Sequence, residues 1–451
     1  VESTRGSVAA PSGPLLTADA ATGVRAFRAV GGYRSLAQAR GLSPLGVVDR
    51  VEEAGLRGRG GSGFPTASKW RAAREHPEPR FLVVNGAEGE PDSLKDRLLM
   101  ERYPHRVLEG ALIAAHALRA QRIYVYVNRT FSEALGAMRA AVDDARAAGY
   151  VDPEEGGGPS GPAVEVVEAP PAYVAGEETA ALEVIEGRPP RPRHRPPYPV
   201  ESGLWGRPTV VNNVETLAAV EAIFRMGPEA FRRCATVLVT LSGWVTRPGV
   251  YEVPLGTPLR DLIEKWGCGV PGGAGIKAIS PGGVGSPYLP ATALETPIGY
   301  ETLREAGSAL GCASVRVIPE GTCMVEELHR VVGFFAAGPC GQCRPCVQGT
   351  ERMGAVLKGL REGRGARRDI DVLARLGARL PGRGLCGYLA EAAGPVSSAL
   401  SLFWEDFEHH LQFGGCPGRR PRPEVSRWIR DARPPELPGV PLGTRGEGGH
   451  P

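Results

Sequence analysis

Residues 81–90 read Phe81-Leu-Val-Val-Asn85-Gly-Ala-Glu88-Gly-Glu90, four apolar residues that run without a break into glycines and acids. A run this short and this continuously apolar suits a strand buried on both faces, as in a parallel sheet covered by helices. Its polar exit then falls at the carboxyl end of the strand, where open α/β sheets bind ligands. The flanking segments agree. Residues 123–127 and 164–167 are further short apolar runs, and 107–118 is helical in pattern. Thr130 and Glu133 read as a capping box opening a helix that runs to Gly149. Strands and helices in this alternation make a parallel sheet. Upstream, Ser43 suits an N-cap and Pro44 the first helical position. Leu45, Val48 and Val51 share one face, and Gly55 ends the helix.

Outward from this core the chain divides by composition. Residues 1–30 read as a mobile leader and 31–235 as the α/β domain, with two more helices opening at Glu177 and near Asn212. Between these lies a proline–arginine arm, 188–199, which must be extended. From 236 to 318 short strands (244–253, 276–289) alternate with glycine–proline turns, indicating a small β-rich domain. Residues 319–412 are helical in period, and 413–451 return to proline, glycine and arginine, as a flexible tail does.

Bulk properties exclude several classes. Hydrophobic residues at 42% and charged residues at 23% over 451 positions are those of a globular protein with two or three domains. A net charge of +3, with no basic face and no aromatic platform, argues against a nucleic-acid partner. No apolar run reaches the ~18–20 residues that direct membrane insertion needs. The first sixteen residues lack the charged start and apolar centre of an export signal, so a cytoplasmic location is expected, with any membrane association made through a larger complex. Nine cysteines in such a chain point to metal or redox chemistry.

Cys340-Gly-Gln-Cys343-Arg-Pro-Cys346 places three thiolates on one tight loop, the arrangement of iron–sulfur ligands. Cys386 is the candidate fourth ligand, since the 39 intervening residues suffice for a helix out and back. Zinc is the rival, although its sites usually pair two separate knuckles. The remaining cysteines, 234, 268, 312, 323 and 416, stand singly and read as small buried apolar residues, Cys416 with least certainty. Gly58-Arg-Gly60-Gly61-Ser-Gly63 fits a dinucleotide fingerprint in letters, but a helix precedes it where that turn needs a strand. Side-chain-free backbone still offers bare amides to a phosphate or a flat ring. Lys69, one of only five lysines, could neutralise a phosphate, and the helix starts at Gly176-Glu177-Glu178 and Asn212-Asn213 offer further donors. Acids also favour the first turn of any helix, which is the plain reading of Glu177 and Glu178.

Four ordered motifs carry a family resemblance: GRGGSGFPTASKW (58–70), YVAGEETA (173–180), WGRPTVVNNVETL (205–217) and the cysteine loop. Over about residues 33–412 the chain resembles the NADH-binding flavoprotein subunit of respiratory complex I and its relatives in hydrogenases and formate dehydrogenases. The resemblance implies FMN against Gly58, Arg59, Gly60, Gly61, Lys69, Asn85, Glu88, Tyr173, Gly176, Glu177, Asn212, Asn213 and Thr216. It implies NADH stacked on the flavin beside Phe64 and Tyr198, with Glu90, Glu178 and Arg195 as polar contacts, the two acids being the candidate catalytic residues. It implies a Rossmann-like FMN domain, a soluble-ligand-binding (SLBB) β-grasp domain around Pro248-Gly-Val-Tyr251 and Pro281-Gly-Gly-Val284, and a helical bundle carrying a 4Fe–4S cluster. Three positions depart from the pattern. Asn85-Gly86-Ala87-Glu88 lacks the aspartate of N-A-D-E, and Ala87-Glu-Gly-Glu-Pro91 is closer to the related subunit of ion-translocating ferredoxin–NAD oxidoreductases. Ala72 stands where complex I subunits carry an aromatic residue, and Tyr198 replaces a phenylalanine.

The implied activity is NADH dehydrogenation. Hydride passes to FMN and single electrons pass to the cluster, then to an iron–sulfur partner subunit or a ferredoxin. The alternatives are the same fold running from ferredoxin to NAD, a non-catalytic cluster-binding relative that has lost NADH binding, and a zinc-binding structural protein.

Overall fold

The structure, a computed structural model, describes residues 13–18, 20–152 and 161–416. Four strands, β1 (Arg80–Gly86), β2 (Ala120–Asn128), β3 (Ala163–Ala169) and β4 (Thr209–Asn213), form a parallel sheet in the order β3-β2-β1-β4. The chain enters at β1, steps outward through β2 and β3, and returns to the other side of β1 as β4. Connections therefore reverse direction between β1 and β4, leaving a crevice at their carboxyl ends. The register pairs Val84 with Asn212 and Asn85 with Asn213, so two asparagines lie side by side at that crevice.

Both faces of the sheet are covered, as the unbroken apolar run requires. Leu82, Val83 and Val84 are all fully buried. Leu82 and Val84 pack with helices Pro104–Leu118 and Val214–Met226, whereas Val83 packs with Tyr124, Tyr126 and Val211 against Ala181 and Leu182 of helix Glu178–Ile185. Each such side chain contributes about 1.5–3 kcal/mol of transfer free energy. The first two helices touch at Gly110, where a Cβ would fall 1.9 Å from the Leu217 carbonyl oxygen. Any side chain there would push the helices apart.

Two local expectations change. The helix after β2 spans Ser132–Ala147 with no side-chain cap, because Thr130 instead bonds the Asn128 side chain through both its amide and its hydroxyl. Within the expected leader, residues 13–18 and 20–30 are tied to the rest of the protein. The Leu15 and Leu16 amides donate to the Glu252 carboxylate at 2.7–3.0 Å, and Phe27 of helix Val24–Ala29 is buried against Tyr33 and His105. Residues 1–12 and 417–451, the rest of the expected leader and nearly all of the expected tail, lie outside the described residues.

A second sheet holds β5 (Thr236–Gly243), β6 (Gly249–Pro254), β7 (Ile276–Ser280), β8 (Leu289–Pro290) and β9 (Ser314–Pro319), ordered β6-β5-β9-β7-β8. Only β5 and β9 pair in parallel. Helices Met324–Ala337, Arg344–Arg361, Arg367–Arg379, Tyr388–Leu402 and Trp404–Phe413 follow. Their core continues into the second sheet, since Ala278, Val284, Tyr288 and Ile318 pack with Val325, Leu328 and Phe335. Among the described residues no helix is long and apolar enough to cross a membrane.

Candidate functional site

The glycine loop lies over the crevice between β1 and β4. Its base is closed by the Gly58 amide donating to the Phe64 carbonyl (2.9 Å) and by a bridge pairing Arg57 with Pro65. The Arg59 amide donates to the buried Thr216 hydroxyl at 2.9 Å, tying the loop to the helix that follows β4. A Cβ on Gly60 would stand 3.2 Å from that of Asn213, so the loop and the strand end touch. Gly61 adopts φ +125°, and a Cβ there would meet no protein atom within 4 Å. Among the described residues none accepts a hydrogen bond from the amides of Gly60, Gly61 and Ser62. Bare donors beside open space suit the phosphate and flat ring of FMN.

Below the loop the strand ends are stitched to residues 173–176. The Asn85 amide group donates to the Gly176 carbonyl at 2.8 Å, and Cβ atoms on Gly89 and Gly176 would press on Tyr173 Cα and the Ala87 carbonyl. The Trp70 indole donates to Asn212 at 2.8 Å, and Asn213 caps helix Val214–Met226 through the Glu215 amide. Glu88 accepts from the amides of Asp96 and Arg97 and from the Ser93 hydroxyl, capping helix Lys95–Arg102. Burial, with Asp96 adding, pushes its carboxyl up to about 7. Lys95, fully buried here, bonds Asp96 (2.8 Å) and Glu215 (2.9 Å). Burial opposes its charge, but Asp96, Glu215 and Glu88 outweigh that and hold its pKa above the usual range. Sequence reasoning passed over this lysine, although its rarity was a usable signal.

The candidate nucleotide side carries cations and exposed rings. Glu178 lies between Lys69 (2.7 Å) and Arg195 (3.0 Å). Burial raises its pKa, but these two cations outweigh burial and leave it below the usual value. Lys69 also donates to the Val211 carbonyl at 3.0 Å. Glu177 is the cap of helix Glu178–Ile185, accepting from the Thr179 and Ala180 amides at 2.9 Å, which is its plain structural role. Phe64 and Tyr198 are 54% and 51% exposed, which leaves both rings open to a ligand stacked on them. Glu90 turns the other way. Its carboxylate accepts from the Val284 amide at 2.7 Å, docking the loop after β1 onto the second sheet, and burial pushes its pKa up to about 8, with Asp92, Glu391 and Glu88 adding.

Cys340, Cys343, Cys346 and Cys386 line one cavity with Val174, Pro192, Leu385 and Tyr388. Cys343 precedes helix Arg344–Arg361, and the Cys346 amide donates to its carbonyl at 3.0 Å, which curls the loop. Burial and the neighbouring thiolates push Cys346 up to about 12, and burial above all pushes Cys386 up to about 11. Four sulfurs gathered where free thiolates are disfavoured are a donor set that a cationic centre would stabilise. The Leu385 amide (3.4 Å to Cys343 Sγ) and the Gln342 amide (3.8 Å to Cys340 Sγ) supply donors of the kind that tune iron–sulfur clusters. This cavity adjoins the glycine-loop site through Tyr173, whose ring packs edge-on with Phe334, Phe335 and Tyr388 and whose hydroxyl donates to Glu391 at 3.0 Å. The other cysteines do not behave as a set of buried apolar residues. Cys234 and Cys268 are exposed, and Cys323 and Cys416 flank His410.

Residues 51–222 match the family model of the Nuo51 FMN-binding domain, 238–283 that of the SLBB domain, and 326–410 that of the NADH-ubiquinone oxidoreductase-F iron–sulfur binding region, which removes zinc as the reading of the cysteine loop. One of the NADH-quinone oxidoreductase F subunits of Rhizobium meliloti, the second, is 38% identical over 419 residues, covering 91% of this chain and 98% of its own length. The F subunit of the Mycobacterium tuberculosis enzyme is 40% identical over 86% of this chain and 89% of its own, and that of Escherichia coli 38% over 85% and 88%. Among solved structures, an NAD+-reducing [NiFe]-hydrogenase in the H2-reduced state superposes with a TM-score of 0.75 at 35% identity, over 82% of this chain. The match spans only 63% of that hydrogenase chain, and 68% in its air-oxidised state (TM-score 0.74, 33% identity, 88% of this chain). With an FMN-binding domain, an SLBB domain and a 4Fe–4S region in one chain, this protein belongs to the family of NADH-quinone oxidoreductase F subunits.

Proposed function

We propose that the chain binds NADH at the open edge of the glycine loop and delivers its electrons, through the β1/β4 crevice and the Cys340–Cys386 cavity, to an iron–sulfur partner subunit. FMN and the 4Fe–4S cluster, when bound, supply the chemistry: hydride acceptance from NADH and one-electron transfer onward. The residues supply placement. Gly58, Gly60 and Gly61 with Asn85, Asn212, Asn213 and Thr216 form the flavin cradle, and Lys69 lies at its edge as the cation for the phosphate. Phe64 and Tyr198 stack on the nucleotide, while Glu178, its charge held by Lys69 and Arg195, orients it. No side chain is needed as an acid or base; holding the two rings in contact is the protein's contribution. Glu90 serves by fixing the loop that carries Glu88.

One observation carries this reading. Segment 173–176 is packed against the loop after β1 at one end, and at the other its Tyr173 ring packs on Tyr388, which opens the helix just after Cys386 and lines the cysteine cavity. The two sites are therefore adjacent. An anaerobic titration of the holoprotein with NADH tests the function: the flavin absorbance bleaches in proportion to NADH added. A chain that holds full flavin and stays yellow in excess NADH would be a cluster-binding relative without dehydrogenase activity. Faster turnover from reduced ferredoxin to NAD than from NADH to the acceptor would instead favour the reverse direction.

A further inference from the structure

We propose that Cys323, His410 and Cys416 form a zinc site at the junction of the second sheet and the helical bundle, separate from the iron–sulfur loop. The His410 Nε2 lies 3.1 Å from Cys323 Sγ and 3.2 Å from Cys416 Sγ, and the three ligand atoms all fall within 4.8 Å of one another. The ring's other nitrogen, Nδ1, is 3.0 Å from the Leu360 carbonyl oxygen. A carbonyl only accepts, so Nδ1 carries the proton and Nε2 presents its lone pair to the sulfurs. That is how a metal-binding histidine is oriented by a partner behind it.

The bland alternative is two thiols hydrogen-bonded to an imidazole. That trio can satisfy itself only by having one sulfur or the ring nitrogen shared between the other two groups, whereas a cation placed among the three takes a lone pair from each. Zinc–nitrogen and zinc–sulfur bonds of about 2.0–2.1 and 2.3 Å in a tetrahedron put nitrogen and sulfur roughly 3.5 Å apart, so a few tenths of an ångström of expansion admit the metal. Two thiolates and an imidazole are a donor set suited to zinc, with a fourth position left for water. The iron–sulfur cavity is lined by none of these three residues.

The surroundings are already organised. His410 is 3% exposed, while both cysteines are partly open to solvent, so an ion has a way in. Asp406, one turn before His410, accepts from the Met324 amide and from Lys277 Nζ, each at 2.6 Å, and so pins the last helix to the turn that carries Cys323. Cys416 follows the left-handed Gly414 that ends this helix. The ion would close a loop of 87 residues between Cys323 and His410, tying the end of the bundle to its beginning.

The test is the metal content of the full chain, purified without oxygen and carrying flavin and cluster, together with X-ray absorption at the zinc edge. The expected result is one zinc beside four irons, with two sulfurs and an imidazole in the zinc shell. Cys323→Ser and Cys416→Ser should each lower zinc to background and leave the iron count unchanged. Cys343→Ala should do the opposite. A wild-type chain with no zinc, which takes up none from equimolar zinc chloride, overturns the proposal. So does zinc that persists in both serine variants, or a Cys323–Cys416 disulfide in the anaerobic protein. If the serine variants fail to fold, the wild-type zinc shell decides: nitrogen and oxygen alone would refute the site.

Discussion

Gly63 and Gly58 stand at the two ends of one loop and are glycine for different reasons. Gly63 has φ +63°, and a Cβ on it would strike the Tyr300 ring at 2.5 Å. Gly63→Ala should therefore cost roughly 2–4 kcal/mol, from left-handed strain and overpacking together, in denaturant melts of the flavin-free protein. A Cβ on Gly58 would have its nearest protein neighbour at 3.5 Å, ordinary contact. Gly58→Ala should then change stability by no more than about 0.5 kcal/mol yet lower the flavin bound per chain. Full flavin in that variant would remove Gly58 from the cradle. Lys69→Ala poses a similar choice. Its partners in the protein are Glu178 and the Val211 carbonyl, so loss of flavin would assign it to the phosphate, and normal occupancy would leave it as the counter-ion of Glu178 alone. The cysteine quartet was legible because three of its members share one loop. The Cys323–His410–Cys416 group was not, because Cys323 lies 87 positions before His410 and one histidine six positions from one cysteine is no recognisable ligand spacing.

Loops and strand ends decide how the domains meet. The Glu90 carboxyl is raised from 4.5 to about 8, chiefly by burial. Between those values the folded protein holds a proton that the unfolded chain has released. The stability this confers is complete below about pH 4.5 and is lost as pH rises through about 8, at up to ~1.4 kcal/mol per pH unit. Glu88 titrates in part of the same window, so the difference between proteins is the measurement to use. In urea melts from about pH 5 to 8.5, wild type should lose stability with rising pH more steeply than Glu90→Gln. Identical slopes would mean that Glu90 is not buried against Val284. That a polar turn follows β1 could be read from residues 81–90; which way Glu90 faces depends on a second domain and could not. The same limit applies to the helix after β2. Thr130 and Glu133 have the right spacing for a capping box, but Asn128 claims Thr130 first. Leu15 and Leu16 looked like leader because their acceptor, Glu252, lies 236–237 residues away.

Among the described residues the cores are distinct: one on each face of the parallel sheet, one within the second sheet, and one shared by the second sheet and the bundle, against which the Tyr173 ring packs. This division separates two chemical steps. Loss of a cluster ligand should disturb the bundle core near Cys346 while leaving Leu82, Val84 and the crevice above them intact, because those residues belong to a different packing unit. Cys343→Ala should therefore lack the cluster and its iron, keep its flavin, and still bleach on addition of NADH under anaerobic conditions. Onward transfer to an iron–sulfur acceptor should fall to background, because the route past Tyr173 then ends in an empty cavity. Stopped-flow absorbance distinguishes the phases: rapid flavin bleaching without subsequent reoxidation is the expected trace. If flavin is lost together with iron, the 173–176 segment transmits the damage, and the two sites form one cooperative unit.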